Sequence, residues 1–150
     1  MNASKPNMEN YDKTYKEFKW NVPEFYNFGF DTVDEWAKKK PEKTALISVD
    51  SDCVKHKKHS FKDLKEQSNR FANVLSALGI RKGDRVLLML PRVPEWYFCV
   101  IGSIKAGIIF IPTTIMSTEK DLEFRLNKSG ASIVVTDMEN AGKVDNVAGK

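Results

Sequence analysis

The chain has 150 residues, of which 41% are hydrophobic and 29% are charged, a composition typical of one globular domain. Its net charge of +4 comes from 24 basic and 20 acidic residues, which alternate along the predicted solvent faces. The sequence therefore argues against a nucleic-acid-binding stripe, and no apolar run reaches the roughly 18 residues of a membrane span.

Residues 1–26 read as an irregular N-terminal arm. The arm is polar, but aromatic residues are scattered through it: Tyr11, Tyr15, Phe18, Trp20 and Phe25. Because disordered tails are poor in aromatic residues, we expect this arm to pack on another surface.

The start of the chain and its cysteines predict a location. The first 20 residues include acidic residues and lack the apolar core of a secretory signal, and they fit a transit peptide poorly. Cys53 lies in a polar turn and Cys99 in an apolar helix, which fits a reducing compartment rather than a disulfide framework. We therefore expect a cytoplasmic protein.

Residues 27–60 predict a helix followed by a hairpin. Pro41 ends the helix, and the run TALISV after it reads as a strand. The run VKHKKHSF is a short partner strand across the polar turn at residues 50–52. The stripe that predicts the helix comprises Phe30, Val33, Trp36 and Ala37.

An amphipathic helix from Phe61 to Leu78 is the clearest predicted element. Ser60 and Asp63 have the spacing of a capping box, and Gly79 is placed to end the helix. Its apolar stripe predicts one buried face.

From about Val86 to Asp137 the predicted order is βαβαβ. The strands VLLML, IIFIP and ASIVVTD are continuous apolar runs, which is typical of a parallel sheet covered on both faces. The first helix begins at Pro94, and Thr118 with Asp121 caps the second. We therefore predict an α/β fold, part of a doubly wound, mostly parallel, Rossmann-like sheet, preceded by a helix, a short hairpin and a long amphipathic helix.

Ligands of such sheets bind at the carboxyl ends of the strands. The segments PRVPEW, PTTIMST and TDMENAGK occupy these positions. None contains a glycine-rich dinucleotide fingerprint, and the chain has no P-loop. The residues alone therefore indicate an α/β domain with an incomplete site.

Several polar side chains have both a functional and a structural interpretation. His56 and His59 stand among lysines, so a solvated edge strand is favoured over a metal site. Arg92 and Glu95 flank a helix start, and an ion pair between them is favoured over an anion site. No serine, cysteine or histidine has an evident base to activate it.

The loop at residues 113–118 and the segment after the last strand are further candidates. The loop is rich in hydroxyl groups, which also suit turn and cap chemistry. Asn140 and Lys143 are placed to touch an anionic ligand, whereas a solvated surface is the simpler interpretation.

Two long runs carry a family resemblance. RKGDRVLLMLPRVPEWYFCVIGSIKAGIIFIPTT and LEFRLNKSGASIVVTD resemble the N-terminal region of adenylate-forming acyl-CoA synthetases, most closely the medium-chain branch. VPEFYNFGFDTVDEWAKKKPEKTALI and HSFKDLKEQSNRFANVLSALG fit the same region. The resemblance covers about residues 20–150 as one continuous alignment.

The resemblance implies an enzyme that joins a short- to medium-chain carboxylic acid to coenzyme A. ATP and Mg²⁺ drive formation of an acyl-adenylate, and the coenzyme A thiol then displaces AMP. Residues 27–150 correspond to the first part of the large N-terminal domain. The family's phosphate loop, acyl pocket and adenylation lysine lie beyond this sequence, so we expect no catalytic residue and no activity from the 150 residues alone.

By the same resemblance, Thr113, Thr114 and Lys143 are candidates for the path of coenzyme A. Many medium-chain relatives have glycine where this chain has Thr113. The alternative class is a stand-alone α/β binding or interaction module without catalysis, and a nucleic-acid-binding role is a distant third because no arginine stripe supports it.

Overall fold

The computed structural model of the protein describes residues 8–149. It is an α/β structure with a two-stranded hairpin and a three-stranded parallel sheet. The helices are α1 Tyr11–Glu17, α2 Glu35–Lys39, α3 Phe61–Ala77, α4 Pro94–Ala106, α5 Glu119–Ser129 and α6 Met138–Asp145, with a π-helix at Phe28–Asp34. The strands are β1 Thr44–Val49, β2 His56–Ser60, β3 Arg85–Met89, β4 Ile109–Pro112 and β5 Ile133–Thr136.

The predicted helix termini are confirmed. Ser60 and Thr118 each accept a hydrogen bond from the backbone N–H three residues on, and the aspartate at that position bonds back to the cap backbone. Pro94 is the first residue of α4. Gly107 ends α4 with a φ of 69°, a left-handed conformation that glycine adopts without a steric penalty.

The parallel sheet has the order β4-β3-β5, so β3 lies in the centre. Val86 of β3 pairs with Phe110 of β4 and with Ile133 of β5. The chain therefore moves from β3 to one side through α4 and then crosses to the opposite side through α5. Because such crossovers are right-handed, this reversal places α4 and α5 on opposite faces of the sheet.

The alternation of β3 side chains agrees with this arrangement. Val86 and Leu88 are fully buried in one cluster with Leu75 of α3 and Cys99 of α4. Leu87 and Met89, the intervening residues of β3, are fully buried on the other face. They form a second cluster with Leu122 of α5 and Val147 after α6. Each face of the central strand is thus covered by its own pair of helices.

Close contact between α3 and α4 depends on a glycine. A Cβ atom at Gly102 would lie 2.6 Å from the Ser68 backbone oxygen and 3.0 Å from a Phe71 ring carbon. Only a residue without a side chain allows the two helices to approach this closely.

The N-terminal segment differs from the predicted irregular arm. Asn10 caps a short helix, α1, by accepting a hydrogen bond from the Lys13 N–H. The aromatic residues expected to pack are exposed by 57–83%: Tyr11, Tyr15, Phe18, Trp20 and Phe25. Residues 1–7 of the predicted arm lie outside the described range. Tyr11 stacks on Tyr15 and Phe18 packs edge-on against Trp20, but within residues 8–149 none of these rings is buried.

The helix predicted before Pro41 forms in two parts, a π-helix followed by α2. Asn27 begins the π-helix, because its side-chain oxygen accepts hydrogen bonds from the Gly29 and Phe30 N–H groups. Val33 is buried at 2% exposure, whereas Phe30 of the same predicted stripe is half exposed. The wider π-turn rotates Phe30 out of the stripe that a regular α-helix would give.

Among residues 8–149, no helix is both long enough and apolar enough to cross a membrane.

Candidate functional site

The carboxyl ends of β3 and β4 bound a large open groove. Its volume is about 860 Å³. Because the loops that follow these neighbouring strands leave toward opposite faces, the groove lies where ligands of open α/β sheets bind. Its lining comes from β1, the β3–α4 segment and the β4–α5 loop: residues 46–49, 90–94, 96–97 and 114–116.

Most of the groove lining is apolar, and Arg92 supplies the only charge among the described lining residues. Arg92 is exposed and makes no ion pair with Glu95, which lines a separate smaller pocket of about 280 Å³. The predicted ion pair is therefore wrong within the described part of the chain. Arg92 lies before the start of α4 and lines the groove, whereas Glu95 lies in the first turn of α4 and lines the smaller pocket.

Thr113 and Thr114 occupy different environments in the β4–α5 loop. Thr113 is 8% exposed, and its N–H extends the sheet ladder by donating to the Leu88 oxygen over 2.8 Å. Its hydroxyl is buried and has no hydrogen-bond partner among residues 8–149. Thr114 is exposed and its hydroxyl accepts a hydrogen bond from the Met116 N–H, which is turn chemistry.

Lys143 of α6 reaches the same loop. Its ammonium donates to the Ile115 backbone oxygen over 2.8 Å, and the side chain is partly buried. The structure thus brings Lys143 to the loop that carries Thr113 and Thr114. Asn140, the other predicted residue of this segment, is 9% exposed and donates to the Asp137 carboxylate, so its contacts serve the start of α6.

The histidine pair is split by the hairpin. His56 is exposed, but His59 is 7% exposed and packs against the Phe98 ring. Its Nε2 lies 3.1 Å from the Ser48 hydroxyl, across the β1–β2 hairpin. The prediction of two solvated histidines is therefore wrong for His59, because successive residues of β2 face opposite sides and the two histidines are three residues apart. The prediction that no serine has a base beside it also misses this contact.

Lys105 of α4 forms a buried polar cluster that the sequence did not reveal. Its side chain is 2% exposed, and its ammonium lies 2.6 Å from the Asp34 carboxylate and 2.8 Å from the Asn69 side-chain oxygen. Asn27 adds a hydrogen bond to the Ile104 oxygen over 2.8 Å. These contacts attach the π-helix to the framework rather than to a ligand site.

Three perturbed pKa values are structural. Burial raises the pKa of the Cys99 thiol to about 11, and the Glu95 charge adds to this, so the thiol is a poor nucleophile. The cap hydrogen bonds from Ser60 lower the pKa of Asp63, and those from Thr118 lower the pKa of Asp121.

Comparison with known proteins adds a family match. The sequence profile of the family described as "AMP-binding enzyme" matches residues 33–150. Human acyl-coenzyme A synthetase ACSM3 is 38% identical over 154 residues, covering 99% of this chain, and human acyl-coenzyme A synthetase ACSM2B is 41% identical over 132 residues, covering 85%. The chain spans only 26% and 23% of these two relatives.

A solved structure agrees with the sequence matches. The crystal structure of Brucella canis acyl-CoA synthetase superposes with a TM-score of 0.81 at 28% identity, over 94% of this chain and 27% of that one. The likeness therefore extends over almost the whole described fold.

The predicted cytoplasmic location is contradicted by these relatives. ACSM3, ACSM2B, ACSM2A, ACSM1 and ACSM5 from human are all named as mitochondrial proteins. The prediction depended on the composition of the first 20 residues and on the free cysteines, and the relatives do not support it.

Proposed function

The chain belongs to the family of AMP-binding enzymes, and from this premise we propose that it is part of an ATP-dependent acyl-CoA synthetase acting on a short- to medium-chain fatty acid. The observation that carries the proposal is the 38% identity to human ACSM3 over 99% of the chain. The reaction joins a carboxylate to ATP as an acyl-adenylate with release of pyrophosphate, and the coenzyme A thiol then displaces AMP.

We infer that residues 27–150 are the first part of a larger N-terminal domain, with residues 1–26 as an arm. The arrangement of helices on both faces of β4-β3-β5 supports a doubly wound, Rossmann-like sheet that continues beyond these strands. The exposed aromatic rings of residues 11–25 support an arm that packs on other parts of such a domain.

The groove and the β4–α5 loop are proposed as the part of the coenzyme A path that this chain supplies. Thr113 has a buried hydroxyl without a partner among the described residues, and Lys143 has an ammonium whose partner there is neutral. The ammonium suits the phosphate groups of such a ligand, and the hydroxyl suits the amide groups of its flexible chain. Thr114 faces solvent at the groove, where its side chain is placed to contact the amide-bearing chain of the ligand.

The described residues do not bring together a cluster of side chains that would hold Mg²⁺. No cluster of three or more histidine, cysteine, aspartate or glutamate side chains lies within residues 8–149. We therefore propose that the residues that hold the metal ion lie outside residues 8–149. When bound, ATP and Mg²⁺ would supply activation of the carboxylate.

A chimera tests the proposed function. The 150 residues would replace the matching segment of human ACSM3, and thioester formation would be measured with acids from butanoate to dodecanoate. We expect an active synthetase, and the 150-residue chain alone should release no pyrophosphate with ATP, Mg²⁺ and coenzyme A. A chimera that folds, shown by a cooperative thermal melt, but forms no thioester would contradict the proposal.

A further inference from the structure

The face of the sheet covered by α5 and α6 holds two hydroxyl groups with unmet hydrogen bonds. The Oγ1 atoms of Thr113 and Thr136 are both buried and unpartnered within residues 8–149. Thr136 pairs with Met89, and Thr113 follows the Leu88–Pro112 pair by one residue. Because side chains alternate along strands, all three residues point to the face where Met89 packs against the α5 side.

Lys143 lies on this same face and has a neutral partner. Its partly buried ammonium donates to the neutral Ile115 oxygen, and no acidic side chain of residues 8–149 forms an ion pair with it. Lys105, whose side chain is also withdrawn from solvent, is paired with the Asp34 carboxylate. A buried cation is stabilised more by an anion than by a carbonyl group, so Lys143 has the capacity to exchange its partner.

The Ile115 carbonyl belongs to a segment that lies between the groove and the apolar cluster beneath α5 and α6. On one side, residues 114–116 line the apolar groove, and on the other, Ile115 packs into the cluster beneath α5 and α6. The bond from Lys143 therefore holds one wall of the groove. A second bond, from the Asn146 side-chain amide to the Glu119 carboxylate over 2.7 Å, joins α6 to the start of α5 and does not involve the wall.

We propose that Lys143 is a latch: its bond to the Ile115 oxygen holds the β4–α5 loop in place, and an anionic ligand that takes the ammonium releases the loop. Release changes the wall of the groove and opens the buried hydroxyls of Thr113 and Thr136 to the ligand. The anion and the Ile115 oxygen compete for one ammonium, so the anion binds the released state more tightly than the held state. A ligand requires such a difference in affinity to shift the equilibrium between two conformations. The identification of the anion as a phosphate of coenzyme A rests on the proposed function, whereas the latch itself does not.

Hydrogen–deuterium exchange of the 150-residue chain tests the latch. The measured quantity is amide exchange in a peptide covering Thr113–Thr118, without ligand, with inorganic pyrophosphate and with coenzyme A. Lys143→Met keeps the aliphatic stem but removes the ammonium. Lys128→Met is the matched control, because Lys128 is an exposed lysine on the adjacent α5.

We expect Lys143→Met to accelerate exchange of this peptide about tenfold, the change that corresponds to one hydrogen bond from a charged group. Pyrophosphate and coenzyme A should accelerate it in the wild-type chain and have no further effect in Lys143→Met. Lys128→Met should behave as wild type in all three conditions.

The latch is overturned if Lys143→Met is folded and exchanges at the wild-type rate. It is equally overturned if pyrophosphate leaves wild-type exchange unchanged or slows it. The pyrophosphate measurement uses the wild-type chain, so it tests the latch even if Lys143→Met does not fold. If pyrophosphate accelerates exchange and coenzyme A does not, the latch stands and the proposed coenzyme A path fails.

Discussion

The two faces of the parallel sheet differ in how the lysine side chains of their helices are paired. On one face, α3 and α4 meet at Gly102 so closely that no side chain fits, and the buried cation Lys105 has a carboxylate partner. On the other face, Thr113 and Thr136 bury hydroxyls that find no partner in the described part of the chain, and Lys143 is bonded to a carbonyl oxygen. Ser103 of α4 also buries a hydroxyl without a described partner, so the faces differ in their cations: Lys105 has a carboxylate partner, whereas the partner of Lys143 is neutral.

This difference indicates a division of roles within the fold. Unsatisfied buried polar groups and weakly compensated charges reduce stability, so they persist where binding needs them. We therefore expect substitutions on the α3/α4 face to change stability and those on the α5/α6 face to change binding.

The largest expected effect is at the buried ion pair. Lys105→Met leaves the Asp34 carboxylate without its partner, and we expect a loss of about 3–5 kcal/mol in the free energy of unfolding by urea titration. The double variant Asp34→Asn/Lys105→Met should recover part of this loss, because no uncompensated charge remains. A change below about 1 kcal/mol in the single variant would contradict the assignment of this cluster to the framework.

Gly102→Ala and Gly142→Ala compare the α3–α4 contact with an exposed position of α6 on the other face. The Gly102 Cβ would approach a backbone oxygen to 2.6 Å, so α3 and α4 must separate, and we expect a loss of about 2 kcal/mol. A Cβ added at Gly142 of α6 would meet no described atom within 4 Å. Alanine there should therefore stabilise the helix by up to about 1 kcal/mol. Equal effects in chemical denaturation would refute the contrast between the faces.

The capping aspartates should give a pH-dependent difference. The pKa of Asp63 is lowered from its ordinary value of 3.8 by the Ser60 hydrogen bonds, so its stabilising effect is complete above that pH. The effect is lost as the pH falls through the lower folded-state pKa. Asp63→Asn should therefore reduce Tm at pH 7, and the difference should disappear as the pH falls below the folded-state pKa of Asp63; Asp121→Asn should show the same sign at α5. A Tm difference that persists in acid would exclude the charged cap as its cause.

The two thiols should differ in reactivity with no change in stability. Cys99 is buried in the α3/α4 face with its pKa raised to about 11, whereas Cys53 is exposed. Iodoacetamide at pH 8 should therefore modify Cys53 within minutes and spare Cys99 in the folded chain, as mass spectrometry would show. Equal labelling of both residues without denaturant would mean that α4 opens readily.

Much of the fold follows from local patterns in the sequence. The capping pairs Ser60–Asp63 and Thr118–Asp121, and Pro94 at the start of α4, are predicted correctly because each acts within one helical turn. The parallel strands are recognisable from their continuous apolar runs. The π-helix at residues 28–34 is not recognisable in this way, because hydrophobic spacing does not distinguish a π-helix from an α-helix.

The candidate site is predictable only in part. The loop after β4 and the segment after β5 are expected near a ligand from the general rule for parallel sheets. The bond between Lys143 and Ile115 has no signal in the sequence, because 28 residues separate them and only packing of α6 brings them together. The His59–Ser48 contact likewise depends on the hairpin register, which pairs Leu46 with His59.

The sequence by itself determined most of the helices and strands after residue 40, the α/β class and the family, since these depend on local spacing and on residues in order along the chain. Tertiary structure alone decided which polar groups are buried and which of them find partners. Lys105 and Lys143 are both lysines in the second half of a helix, and nothing in their local sequence distinguishes them. Lys105 packs beside the Asp34 carboxylate, whereas Lys143 packs beside the Ile115 carbonyl oxygen. Because a charge withdrawn from water depends on its partner, this placement makes Lys105 a framework residue and Lys143 a candidate for binding.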